Sequence, residues 1–118
     1  MPNSKTRDYE VLNSYWEKWL RLSDEIRTAL KQKDPKVVVL MESALQNYTE
    51  MLSSFILIKP ATVDDATEAI EPLNGHERLQ FIREKMNREF AFIQLKALYS
   101  EAQKKAVSLL VRSMIKSR

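Results

Sequence analysis

Residues 74–118 read NGHERLQFIREKMNREFAFIQLKALYSEAQKKAVSLLVRSMIKSR. The stretch has no proline, and the only glycine of the chain, Gly75, stands at its start. With no breaker inside it, the pattern predicts one long helix over 75–116. Asn74 is placed to N-cap it. Glu77, three residues on, would complete a capping box and sit at the positive end of the helix dipole. Leu79, Ile82, Met86, Phe90, Ile93 and Ala97 recur at spacings of three and four, which is one helical stripe. A second stripe follows through Leu95, Leu98, Ala102, Ala106 and Leu109. Where the stripes overlap, from Phe90 to Tyr99, the helix is apolar around most of its circumference and should be covered on more than one side.

Two further helices precede it. Leu12, Tyr15, Trp19, Leu22, Ile26 and Ala29 form a heptad-type seam, which predicts a helix over about 6–32. Asp34-Pro35 then restarts the chain, with Asp as N-cap and Pro at the first helical position, where its missing N–H costs nothing. Val37, Met41, Ala44, Tyr48, Met51, Phe55 and Ile58 carry the next seam, over about 35–58. So short a link between the two makes an antiparallel hairpin. Lys59-Pro60 stops the second helix. Residues 59–74 read as an acidic connector with a short helix over Val63–Ile70. The expected fold is all-α, a single-domain antiparallel bundle of three long helices with this acidic helix or loop between the second and third.

Composition supports that class. One glycine and four prolines in 118 residues leave little room for turns. Without cysteine there is no disulfide framework, thiolate metal site or cysteine nucleophile. No run approaches the ~20 apolar residues that span a bilayer, and the first ten residues lack a signal-peptide core. The expectation is a soluble, cytoplasmic protein without membrane attachment. Formal charge is +3, unevenly spread. From His76 onward there are ten Lys or Arg against four Asp or Glu, while 60–75 holds four acids and no base.

Catalytic chemistry finds little to use. His76 is the only histidine and reads as a solvated residue near a helix start. Asp64, Asp65, Glu68 and Glu71 match no calcium-loop spacing and read as acidic surface. Asp24, Glu25, Glu84 and Glu89 sit at exposed helical positions without a converging partner. One glycine cannot build a phosphate-cradling loop. The expectation is a chain that is not an enzyme and takes no cofactor, metal or small-molecule substrate.

Length gives the functional expectation. About forty residues of helix span about 60 Å, against roughly 35–40 Å for each upstream helix. The surplus, KKAVSLLVRSMIK, is amphipathic. It predicts a protein-interaction module (an adaptor, regulator, chaperone or subunit of a complex) that binds through Val107, Leu110, Val111 and Met114. A homodimer or another protein would be the partner. Trp16, off the main seam of the first helix, is a further interface candidate. The alternative is a nucleic-acid-associated subunit using Lys85, Arg88, Lys96 and Lys105 on phosphates. A third reading places a ligand pocket near Trp16 and Tyr48.

Overall fold

The computed structural model describes backbone residues 3–58 and 72–116, with side chains over 9–55 and 72–111. They form four helices: α1 (Asn3–Lys31), α2 (Val37–Ile58), α3 (Gly75–Glu84) and α4 (Glu89–Lys116). Among the described residues there is no strand, as the all-α expectation requires. The acidic connector lies, up to residue 71, outside the described residues.

The two predicted seams are the core. Leu12, Trp19, Leu22, Ile26 and Ala29 of α1 are buried, as are Val37, Met41, Ala44, Tyr48, Met51 and Phe55 of α2. The link between them is closed at both ends by hydrogen bonds. The Asp34 N–H donates to the Ala29 carbonyl (2.9 Å) and the Lys33 N–H to the Leu30 carbonyl (3.2 Å), the paired bonds of a Schellman ending. Lys33 takes the left-handed conformation this ending needs, at φ 55°. Asp34 then accepts the Lys36 N–H on its side chain at 3.0 Å, so the predicted cap on α2 is present.

The third helix departs from expectation. It is not continuous over 75–116. It breaks at Lys85–Arg88 into α3 and α4. The Lys85 N–H closes back on the Ile82 carbonyl at 3.1 Å, and the chain leaves the helical region at Lys85, φ −130°. No glycine or proline imposes this. The cause is tertiary: folding back lets α3 bury Ile82 and lay Phe81 against Phe90 of α4, ring centroids 5.4 Å apart. The surplus length is thereby removed from the proximal end. α4 has 28 residues and α1 has 29, so α1 can accompany α4 along its length. The start of α3 also differs. Asn74 makes no side-chain cap bond and is itself left-handed at φ 56°. The Asn74 carbonyl accepts the Arg78 N–H at 2.9 Å instead.

Tyr99 of α4 sits at the centre. Its ring stacks on Trp19 of α1, centroids 4.1 Å apart and 11° from parallel, and meets Tyr48 of α2 edge-on at 5.1 Å. Its hydroxyl donates to the Ala44 carbonyl at 2.5 Å and accepts from the Asn47 amide at 2.9 Å. The same amide nitrogen donates to the Tyr15 carbonyl of α1 at 3.0 Å. Both ends of α1 meet α4: Leu30 lies beside Phe92 and Ile93, and Tyr9 and Asn13 lie beside Gln103 and Val107. Leu95, Leu98, Ala102, Ala106, Leu109 and Leu110 complete the core from α4.

Two stability predictions follow from this geometry. Tyr99→Phe keeps the stack but removes the hydroxyl between Asn47 and Ala44. It should cost about 1–3 kcal/mol in urea unfolding, with an unchanged denaturant slope. Lys33→Gly relieves a left-handed non-glycine residue. Net of the flexibility glycine adds to the unfolded chain, it should raise stability by a few tenths to about 1 kcal/mol in the same titration.

Candidate interaction surface

α4 is covered on three sides. Its buried stripe faces α1 and α2, and α3 lies along a further flank. A single arginine clasps α3 to that flank. Arg78 makes a bidentate contact with Glu101, Nη1 to Oε1 at 3.0 Å and Nη2 to Oε2 at 2.8 Å. It also donates through Nε to Gln94 Oε1 (3.0 Å) and through Nη1 to the Leu73 carbonyl (3.3 Å). The fork geometry of guanidinium suits this, and the charge strengthens each bond. The hydrogen bonds from Arg78 hold the Glu101 carboxyl below the ordinary glutamate range, and Glu101 in turn raises Arg78. Burial pushes the Tyr99 hydroxyl up, so it stays a neutral hydrogen-bonding group.

Among the described residues, one side of α4 has no other helix packed on it. Ile93, Ala97, Ser100, Lys104, Val107 and Val111 follow at spacings of 4, 3, 4, 3 and 4, the period of a helix-packing seam. None of these six is buried, and Ile93 is 56% exposed. On α1, Tyr9, Asn13, Trp16 and Leu20 follow at 4, 3 and 4 on one side, continued by Arg27 and Lys31. The ends of these two rows line shared recesses. Leu30, Arg27, Lys31, Ile93, Phe92, Lys96 and Glu89 surround one of about 480 Å³. Tyr9, Leu12, Asn13, Glu10, Gln103 and Val107 surround the other. The seam between α1 and α4 is therefore a shallow furrow with apolar walls and three cations at one end.

The predicted interface residues divide. Val107 is half-buried in the furrow and Val111 is 42% exposed on the same stripe. Trp16 is half-buried, packed against the core on the α1 side. Leu110 is fully buried in the chain's own core, so it is not a partner-facing anchor. The expectation failed there because α4 does not outreach α1, and Leu110 is on the inward stripe. The Met114 side chain lies outside the described residues.

The predicted basic face does not assemble. Lys85 and Arg88 are exposed in the elbow, and Lys96 and Lys105 are exposed on α4. Nine residues make about two and a half helical turns, so Lys96 and Lys105 project from opposite sides of α4. Tyr48 is fully buried against Tyr99, which puts core where a ligand pocket was expected. His76 is exposed. Among the described residues no three His, Cys, Asp or Glu come together to hold a metal. Among the same residues no helix is long and apolar enough to cross a membrane. Sequence reasoning missed Phe81, Phe90 and Ile93 as surface residues. The available signal was the run Glu84–Glu89, EKMNRE, in which only Met86 is apolar.

Fold and surface together define a small all-α protein with two open recesses along the α1–α4 seam. A family model described as YpoC-like protein matches residues 9–114, and the chain belongs to that family. No curated protein and no solved structure matches the chain.

The clasp carries a pH prediction. Because Arg78 lowers the Glu101 carboxyl, its stabilisation is fully present above the ordinary glutamate range and is lost as pH falls through the lowered value. Glu101 is 42% exposed, so solvent screening keeps the contribution under about 1 kcal/mol. Glu101→Gln should lower stability at pH 7 and converge with the parent once acid has protonated the lowered Glu101 carboxyl, measured by urea titration across pH.

Proposed function

We propose that this chain is a non-catalytic protein-binding module of the cytoplasm, an antiparallel helical bundle that receives a helix from another protein along the α1–α4 furrow. The observation that carries the reading is the unburied 4-3-4-3-4 row on α4, Ile93 to Val111, beside the two recesses that α4 shares with α1. A row with that period matches the anchors of an incoming helix. Its apolar members would leave water on binding, each fully buried side chain contributing about 1.5–3 kcal/mol before the cost of association. Val107 and Val111 keep the distal part of α4 in the site, while Ile93 extends it toward the elbow. Phosphate tracking is the weaker reading, because Lys96 and Lys105 point apart and the furrow floor is apolar.

Ile93→Asp puts a charge at the most exposed apolar position of the row without touching the core. Tagged chain recovered from its own cells should carry a stoichiometric protein companion, resistant to nuclease. Ile93→Asp should lose that companion and keep the parent melting temperature. Recovery of the parent as a lone monomer, or a companion that survives Ile93→Asp, would refute the proposal.

A further inference from the structure

The furrow is electrically lopsided, and this narrows its occupant. At the elbow end Arg27, Lys31 and Lys96 line the recess with one carboxylate, Glu89. Arg27 contacts Asp24 at 3.3 Å, but both side chains are more than half exposed, so the pair is weak and open to exchange. Lys31 and Lys96 have no carboxylate within ion-pair distance among the described residues. At the far end the polar lining among the described residues is Glu10, Asn13 and Gln103. Ile93 and Val107, one in each recess, are fourteen residue steps apart on α4, which at 1.5 Å per step is about 21 Å, or four helical turns.

Resting on the reading above, we infer that the occupant is an amphipathic helix of about four turns from another protein, with acidic side chains at the end that lies over Arg27, Lys31 and Lys96. Its apolar stripe would pack on Ile93, Ala97 and Val107 from above and on Trp16 and Leu20 from the side. The acidic end supplies the countercharge that the elbow-side recess lacks. It also fixes which way the helix lies, because reversing it would set its carboxylates against Glu10. A second copy of this chain fits less well. A two-fold pairing along the furrow would bring Arg27, Lys31 and Lys96 over the partner's Tyr9 and Val107 end, where Glu10 is the only acid in the recess. Lys104 in the middle of the row would also meet its own counterpart's stripe.

The test uses the whole chain and three fluorescent synthetic helices of equal length and identical leucine stripe. One carries glutamates over its last turn, one carries lysines there, and one carries glutamines. Anisotropy gives affinity, and backbone amide shifts give the site. The glutamate helix should bind about tenfold or more tighter than the lysine helix at low salt, the gap closing as salt rises. It should shift amides around Trp16, Leu20, Ile93, Lys96 and Val107. The charge reversal R27E/K31E/K96E, all at exposed positions, should invert the preference.

Equal binding of the three helices in the furrow would overturn the acidic assignment while leaving the helix-binding reading intact. Shifts centred elsewhere, or no binding by any helix at ~1 mM, would sink both. A DNA or RNA oligonucleotide that displaces the glutamate helix and outbinds it would overturn the assignment in favour of nucleic acid. A chain that light scattering shows as a dimer, with the glutamate helix unable to dissociate it, would overturn it in favour of a second copy.

Discussion

Tyr99 is the joint on which the arrangement of the bundle depends. Apolar burial alone is non-directional, and seams of leucine and alanine can slide by a turn at little cost. Tyr99 removes that freedom. Its ring must lie flat on Trp19, its edge must meet Tyr48, and its hydroxyl must fall between the Ala44 carbonyl and the Asn47 amide. Asn47 then reaches across to the Tyr15 carbonyl, so α1, α2 and α4 are tied at one height. The network is not free of cost. Among the described residues the buried Asn47 carboxamide oxygen has no hydrogen-bond partner, a penalty that apolar packing would avoid. What the network supplies in exchange is one defined register.

The free surface follows from that joint. Once α1 and α2 are fixed against the face of α4 that holds Leu95, Leu98 and Tyr99, a third neighbour can lie only along a remaining flank. α3 takes one, held by the Arg78 clasp to Gln94 and Glu101. It is too short, at ten residues, to shield the whole of α4. Among the described residues, the stripe through Ile93 and Val107 is what remains. Phe81 and Phe90 close the elbow side of it as a ring pair that is itself partly exposed.

The sequence disclosed the inward faces well and the outward ones poorly. Every described member of the α1 and α2 seams is buried except the half-buried Tyr15, because a helix hides what recurs at its own period. The Asp34 cap was equally legible, being a local interaction between residues two apart. The elbow was not. A break without glycine or proline is decided by contacts between residues distant in sequence, such as Arg78 with Glu101, and no local pattern announces them. That one miss propagated. Treating 75–116 as a single rod created a surplus at the wrong end, made Leu110 an anchor, and put Phe90 and Ile93 in a buried stripe. With the rod broken at Lys85, the same period-3.6 stripe that had looked like core divides into an inward half, ending near Met86, and an outward half beginning at Phe90. Periodicity identifies a face but does not say whether that face is turned inward.

Exposed apolar residues are ordinary on any protein, and only their grouping is informative. Val39 and Leu73 are more exposed than Ile93, yet each stands alone, and neither adjoins either recess of the furrow. Ile93, Ala97, Val107 and Val111 differ because they share one line and one opposing wall. That line is also interrupted by Ser100 and Lys104, both unburied. An uninterrupted greasy stripe would favour indiscriminate helix pairing, including with itself. On the proposed reading, a stripe broken by one hydroxyl and one ammonium would accept only an incoming helix that presents something polar at those two turns. The interruptions would then weaken the surface for most partners and spare it for a matched one, a device by which a small bundle can leave an apolar seam open to water without being driven to aggregate.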